Sequence, residues 1–529
     1  MTSYVTLYLM TREMHPQRWG DPALAESLPD STRSLVDVFV GSHDTPALTP
    51  VTVPTGGLHE KVLESLRARL GEGAVLTDPE TRRLRTRGKS TPDLLLARAG
   101  DLSDAPDAVV RPRSHEAVVE LLAWAVEHHV AVVPFGGGTS VVGGLVARRD
   151  GYAGVISLDL ALMDRLLDVD PISMTARLQP GMRGPDTEAA LAEHGLTLGH
   201  FPQSFEYASI GGFAATRSSG QASAGFGRFD DMVVGLRVAT PVGDLVLGSA
   251  PANAAGPDLR EVVLGSEGAL GVITEVTVRV RPIACESRYE AWSFPSFDEG
   301  AEAIRRLAQS RRLPTVIRLS DELESMVNLA SQSDVGGEGV TGCLMVVGHE
   351  GDDIERDRAE TTRTLQRLGG TPLGEPRGLA WKQGRYHAPY LRDSLLDVGV
   401  LVETVETATF WSNRATVLAA VRTALESTLG EGTLVMCHIS HVYETGCSLY
   451  FTIAARQGDD PLQRWQTAKA AACDAMIAAG ATITHHHGVG RDHKPWLAKE
   501  IGPVGVMMLR ALKESVDPSA ILNPGVLIP

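Results

Sequence analysis

Three consecutive histidines run into a glycine turn at His485-His486-His487-Gly488-Val489-Gly490, in a chain that has only 16 histidines among 529 residues. Histidine is the side chain whose ordinary pKa lies near neutrality, so it both takes and gives protons. Like charges set side by side resist joint protonation, so at least one of the three is expected to be neutral and available as a base. A histidine tract can also be a metal site or a cloning tag. This one is internal, follows the apolar stretch Ala471 to Ile483, and ends in glycines that let backbone approach a ligand closely. Catalysis is the reading it favours.

Other side chains stand out by context. Arg318 interrupts the apolar run Thr315-Val316-Ile317-Arg318-Leu319; a buried arginine must meet an anion, either a ligand or a structural carboxylate. Arg392 stands beside Asp393, with which it can form a purely structural pair. Tyr450, in Ser448-Leu449-Tyr450-Phe451, reads by itself as a strand tyrosine packed on a core. Arg491 and Lys494 follow the histidines and add positive field.

Three glycine-rich tracts suggest a cofactor. Pro134-Phe135-Gly136-Gly137-Gly138-Thr139-Ser140 ends a short strand, and backbone N–H groups in such loops bind phosphate oxygens without lysine. No Lys-Ser/Thr follows, which excludes a P-loop. Val141 stands where the last glycine of a G-x-G-x-x-G turn would fall, which excludes that fingerprint too. A tight turn with no ligand is the bland alternative. Gln203-Ser204-Phe205-Glu206-Tyr207-Ala208-Ser209 leads through Gly211 and Gly212 to Thr216-Arg217-Ser218-Ser219. Glu267-Gly268-Ala269-Leu270-Gly271-Val272-Ile273 repeats the theme ahead of a strand. Together they offer donors for a long, polar cofactor.

The elements that must position these residues follow from periodicity. Ser114 caps a predicted helix with Val118, Val119, Leu121, Leu122, Ala125 and Val126 on its inner face, and a buried strand at 130–133 leads into the first loop. Short strands are expected at 155–158, 166–169, 175–178, 233–239 and 272–280, with a helix over 186–194. Residues 286–455 alternate strands (289–294, 315–319, 343–348, 434–438, 448–454) with helices at 300–309 and 354–368. The fold class is therefore α+β. The expected domains are an N-terminal extension over 1–70, a two-subdomain cofactor domain over 71–284, a cap or substrate domain over 285–480, and a segment over 481–529 that returns to the site.

Composition narrows the setting. A net charge of −16 argues against nucleic-acid binding and against wholesale attraction to anionic lipid, so a phosphate ligand needs a local basic pocket. Five scattered cysteines without a CxxC pair suit a reducing compartment and buried thiols. No apolar run approaches the roughly 18 residues of a spanning helix. No basic region precedes the short apolar patch at the N-terminus, so a signal peptide is not expected. Met14 is an alternative start that would leave residues 1–13 as a leader, and the expected location is cytoplasmic.

The PFGGGTS loop, the SIGG…TRSSG tract and GSEGALGVI resemble the FAD-binding (PCMH-type) domain of vanillyl-alcohol-oxidase-type flavoproteins. ETGCSLYF, HHHGVGRDHKPWL and KESVDPSAILNP narrow the resemblance to the alkyldihydroxyacetonephosphate synthase family, over about residues 100–525. It implies FAD, held non-covalently because the first loop has no histidine to tether it. It also implies exchange of the acyl group of an acyl-dihydroxyacetone phosphate for a long-chain fatty alcohol. That reaction forms the ether bond of ether lipids without net oxidation, the substrate carbon being held as a covalent adduct at flavin N5. Under this resemblance Tyr450 donates and accepts protons, and Arg318 is needed for activity. Arg392 holds the substrate phosphate, bidentately if geometry allows. His485, His486 and His487 supply a base; the tyrosine, whose usual pKa is about 10, needs a neighbour that lowers it or a shared proton, and the histidines can supply either. Lipid substrates and a homodimer are expected, with room for peripheral membrane contact and no metal. One departure is that the family's usual Gly-His-Glu-Pro-Asp-Ser reads Gly199-His200-Phe201-Pro202-Gln203-Ser204 here, losing two carboxylates.

The alternative enzyme on this fold is an FAD-dependent D-2-hydroxyacid dehydrogenase of D-lactate or glycolate type, whose metal sits on two histidines and a glutamate. The comparable positions here are His441, Tyr450 and His486. A divalent ion there would exchange its carboxylate for a poor phenol ligand, which disfavours this reading. A flavin-binding protein without chemistry would leave Tyr450, the histidines and both arginines unexplained.

Overall fold

A computed structural model describes residues 13–24, 28–43, 45, 48–146, 148–327 and 339–529. The expected leader over 1–13 lies, Glu13 apart, outside the described residues. The first domain has two sheets. A four-stranded sheet runs in the order Val75–Leu76, Ala108–Val110, Gly154–Asp159, Val130–Phe135. Its last two strands pair in parallel and are buried almost throughout, which is why they read as continuous apolar runs rather than alternating ones. The helix His115–His128 is capped by the Ser114 side chain, which accepts from Ala117 N. Val118, Leu121, Leu122 and Ala125 are buried, but Val119 is exposed and Val126 half-buried. At 3.6 residues per turn those two fall on the flank of the apolar stripe.

An antiparallel five-stranded sheet follows, in the order Leu166–Asp170, Thr175–Leu178, Val272–Arg279, Val233–Thr240, Gly243–Leu247. The helix expected at 186–194 spans Gly184–Ala192.

The cap is one seven-stranded sheet, in the order Thr371–Gly374, Glu286–Phe294, Cys343–Gly351, Val316–Ser320, Leu434–Ile439, Gly446–Arg456, Val400–Phe410. Successive residues of a strand face opposite ways, and the cap uses both faces. Ile317, Leu319, Val405, Cys437, Ile439, Leu449 and Phe451 pack into a core with the helices Phe297–Gln309, Arg414–Leu429 and Pro461–Ala478. Register then places Glu406 opposite Tyr450 and Tyr450 opposite His438, on the other face. The strand Val400–Phe410 is absent from the sequence reading. Two glutamates and three threonines interrupt its apolar run, and Glu403 and Glu406 are buried only because distant segments meet them.

The tail closes the structure. Val132 N donates to Ile521 O at 2.8 Å, Asn523 N donates to Val132 O at 2.9 Å, and the Asn523 amide donates to Gly144 O and Glu267 O. Val489 N and Gly490 N donate to the Glu267 carboxylate, which sets residues 488–490 against the first domain. Among the described residues no helix is long and apolar enough to cross a membrane. Cys343, Cys437, Cys447 and Cys473 are buried free thiols, whereas Cys285 is exposed.

Candidate active site

A cavity of about 390 Å³ runs between the first domain and the polar face of the cap sheet. Residues 134–140 line it, with Gln203, Ser204, Ala208, Ser209, Thr216, Ser218, Ser219, Glu267, Gly268, Gly271, Val272 and Ile273. The first two loops touch so closely that a Cβ at Gly136 would overlap the Ser209 hydroxyl, and one at Gly137 the Tyr207 carbonyl. The amides of Gly137, Gly138 and Thr139 donate to no carbonyl of the described chain. Free amides on a glycine loop fit the phosphates of a dinucleotide cofactor, and the same loop carries no histidine that could tether a flavin.

Six residues named with these loops point elsewhere. Phe205 packs on Phe201 and Tyr386, and Tyr207 joins a cluster with Met14, Trp19 and Tyr390. Glu206 is half-buried and pushed up to about 7 by desolvation. Arg217 caps the helix Ile210–Thr216 in a left-handed conformation and turns to Leu264 O, Glu261 and Asp230. Ala269 and Leu270 are core. In a loop, alternate side chains must face the protein to hold it in place, and spacing alone does not say which.

The histidines lie on the cavity's far wall. His486 and His487 line it, whereas His485 is set back, its Nε2 2.5 Å from the Tyr443 hydroxyl. Burial lowers the pKa of all three and takes His487 down to about 3, so neutral imidazoles are the resting state. Their backbone converges on Glu406. This carboxylate accepts from His485 N at 2.6 Å, His486 N at 3.2 Å, His487 N at 3.0 Å and the Thr484 hydroxyl at 2.6 Å.

Tyr450 lines the cavity with its ring stacked on His438 at 4.8 Å between centroids, and it faces His486 and His487 at 6.0 and 5.7 Å. The expectation that a neighbour lowers its pKa is corrected by the structure. Desolvation outweighs the Thr404 hydrogen bond and pushes the phenol up to about 12, so it is protonated at neutrality.

Arg318 lines the cavity and is also structurally paired. Its Nη2 donates to Glu324, both Nη groups lie within 3.2 Å of the His438 ring, and Nε has no partner. The anion that its burial requires is therefore internal. Glu324 is held down to about 2 despite burial, chiefly by Arg318 and then by His438. Arg392 differs. One Nη1 donates to Lys89 O at 2.7 Å, and Nε is 3.9 Å from Asp393, which turns instead to the Trp19 amide. Among the described residues Nε and Nη2 of Arg392 have no hydrogen-bond partner, and the residue lines the cavity. Arg491 and Lys494 do not line it; Arg491 donates to Val146 O.

Glu406, Glu324 and His438 are absent from the sequence reading of the site, and His441 enters it only as a counterpart of the dehydrogenase's metal ligands. The His438-Ile439-Ser440-His441 spacing, one strand away from Tyr450, was a usable signal for the two histidines; nothing local marks the glutamates. Nitrogens of His441, His485 and His486 lie within 4.8 Å of one another, the one such group among the described residues that could hold an ion. Each ring already has an internal partner. His441 Nδ1 meets Ser219 and Ser223, and the Nδ1 atoms of His485 and His486 are 3.0 Å apart. The adjacent carboxylate, Glu406, is engaged by four donors.

Comparison with known proteins agrees with this geometry. Residues 106–248 match the FAD binding domain family, and residues 284–527 match the C-terminal domain of FAD linked oxidases. The alkyldihydroxyacetonephosphate synthase of Trypanosoma brucei brucei is 33% identical over 517 residues, covering 92% of this chain and 84% of that protein. The synthase of Dictyostelium discoideum is 33% identical over 513 residues with the same coverage. A solved alkyldihydroxyacetonephosphate synthase superposes with a TM-score of 0.81 at 29% identity, over 97% of this chain and 98% of that one. The chain carries an FAD-binding domain and belongs to the alkyldihydroxyacetonephosphate synthase family.

Proposed function

We propose that this protein is an FAD-dependent alkyldihydroxyacetonephosphate synthase, exchanging the acyl group of acyl-dihydroxyacetone phosphate for a long-chain alcohol. The observation that carries the reading is one cavity that joins glycine loops, the unpaired edge of Arg392, a protonated phenol beside neutral imidazoles, and an apolar arm. Leu35, Val36, Val40, Leu395, Val400, Val402, Leu434 and Ala454 line that arm, in keeping with an alkyl chain.

FAD, held non-covalently by the loops at 134–140, 203–209 and 267–273, supplies when bound the electrophilic ring that retains the substrate carbon during the exchange. The chain's own groups do the rest. Arg392 turns its free Nε and Nη2 to the phosphate. A neutral imidazole, His486 or His487, takes the proton from the carbon beside the carbonyl and returns one to that carbon as the ether product forms. Tyr450 gives its proton to the departing carboxylate and recovers one from the incoming alcohol, so protons balance without net redox. Arg318, ion-paired with Glu324, adds positive field where oxyanions form.

Under anaerobic conditions, palmitoyl-dihydroxyacetone phosphate should bleach the flavin, and hexadecanol should restore its colour as the ether appears. Bleaching by D-lactate with none by the ester would replace this reading with the dehydrogenase.

The helix Asp30–Phe39 turns Val36 inward to the apolar arm and leaves Val38 76% and Phe39 41% exposed. We read this face as the peripheral contact through which lipid reaches the cavity. A Val38→Ser/Phe39→Ser variant should lose about tenfold in co-sedimentation with phosphatidylcholine vesicles, with turnover of a short-chain substrate unchanged; equal binding by the two proteins would place the contact elsewhere. Light scattering tests the homodimer that the family reading includes.

A further inference from the structure

We infer that Glu406 is the positioning residue of this site: it folds the triple-histidine segment onto the cavity and makes His486 the proton acceptor. The inference rests on the synthase reading above.

Glu406 lies on the cap strand Val400–Phe410, directly across from Tyr450, and its side chain is fully buried. An isolated carboxylate buried in that way is costly. Here the cost is offset by three successive backbone amides, those of His485, His486 and His487, and by the Thr484 hydroxyl. Three consecutive N–H groups aimed at one anion form a nest, a conformation the anion itself stabilises. The segment 484–487 has no regular secondary structure, so its shape depends on such contacts: Glu406 takes three of its amides, while Arg228 donates to His485 O and the Thr482 hydroxyl to Thr484 O.

The same charge acts on the rings. His486 Nδ1 is 3.5 Å and His487 Nδ1 3.7 Å from the carboxylate, and His486 Nδ1 also lies 3.0 Å from His485 Nδ1. The imidazolium formed when His486 takes a proton thus points at a carboxylate and at a ring nitrogen able to share the proton. His487 has the carboxylate alone, at the longer distance. Burial lowers the pKa of both rings, that of His487 to about 3.

The groups facing His486 come from every side. They are Glu406 and Tyr450 on the cap strands, His438 and His441 on the cap, Arg228 and His200 from the first domain, and His485 and His487 in the segment itself. Glu406 is the carboxylate among them and raises the proton affinity of His486, while the cations oppose it. The sign follows. His486 accepts a proton only when neutral, so activity falls as pH drops through its pKa. Removing the Glu406 charge lowers that pKa and moves the acid limb to lower pH.

The experiment uses the FAD-loaded protein and compares Glu406→Gln, His486→Gln and the double variant. In Glu406→Gln we expect FAD content equal to wild type, kcat lower by about a hundredfold, KM for the phosphorylated ester within threefold, and the acid limb lower by about one pH unit. In His486→Gln, adding Glu406→Gln should cost less than threefold more, because both changes remove one function. A readout without turnover is the titration of the His486 ring proton in histidine-labelled protein, identified by its loss in His486→Gln; its midpoint should fall in Glu406→Gln. Wild-type ether formation with an unshifted acid limb and midpoint in Glu406→Gln overturns this inference alone. So does additivity of the two substitutions. Absence of ether from the wild type overturns the synthase reading and this inference with it. If Glu406→Gln fails to fold, Thr484→Ala, which removes one donor and leaves the charge, should lower kcat severalfold with the limb unmoved; wild-type kcat there overturns the positioning role.

Discussion

Replacing Tyr450 by phenylalanine is expected to leave FAD bound and to lower ether formation by about a thousandfold, the upper range for loss of a positioned proton-transfer group. The argument is geometric. The phenol is the group on the cavity wall that rests protonated at neutral pH, because burial pushes it up to about 12, while the imidazoles around it rest neutral. A departing carboxylate needs a proton at the moment of departure and an incoming alcohol must give one up; the same oxygen serves both steps. The ring stacks on His438 and is held by cross-strand neighbours on both sides, so phenylalanine keeps the packing. Rapid-mixing spectroscopy should therefore show flavin bleaching slowed as much as overall turnover, with the melting temperature within a few degrees of wild type. Full exchange activity with FAD bound would remove Tyr450 from the chemistry.

The second large effect is expected at Arg392. Truncation to alanine should lower kcat/KM for the phosphorylated ester by at least about a hundredfold, the usual consequence of removing one partner of a desolvated charged pair. Nε and Nη2 are buried without hydrogen-bond partners among the described residues, while Nη1 donates to Lys89 O and the residue lines the cavity; a guanidinium with two unbonded nitrogens fits a doubly bonded phosphate. The diagnostic is selectivity. Wild type should prefer the phosphorylated ester over acyl-dihydroxyacetone by the same factor that Arg392→Ala loses, and the variant should treat the two nearly alike. Lysine at this position should recover only part of the loss, because an ammonium is a point charge without the planar fork. Equal losses on both substrates, or loss of FAD, would mark Arg392 as structural. Arg318 invites the contrast. Its Nη2 already meets Glu324, so truncation there also leaves a buried carboxylate without its main partner and mixes structural with chemical loss.

Much of the site was legible in the chain. The glycine loops and the triple histidine stand in local patterns whose chemistry is carried by residue type and spacing, whereas Tyr450, Arg318 and Arg392 became candidates only through the family resemblance. The helix capped by Ser114 and most strands followed from periodicity, because burial on one or two faces writes itself into the alternation of apolar and polar residues. Where that signal fails, the reading failed. The strand Val400–Phe410 was missed because its glutamates and threonines look exposed until their partners are seen.

Residue order by itself determined the three glycine-rich tracts, most of the strands around the cavity and the triple histidine as a candidate for proton chemistry, because those depend on local backbone freedom and on side-chain type. Only the tertiary structure decided how they are poised. It turned Arg217 away from the cavity, paired Arg318 with Glu324 and left Arg392 half free. It raised the Tyr450 pKa where a lowering was expected, and it set Glu406 beneath the histidines from a strand about 80 residues earlier in the chain. Burial, hydrogen-bond partnership and electrostatic neighbourhood are properties of three-dimensional proximity, and segments far apart in the chain meet only when the sheets close over the cavity.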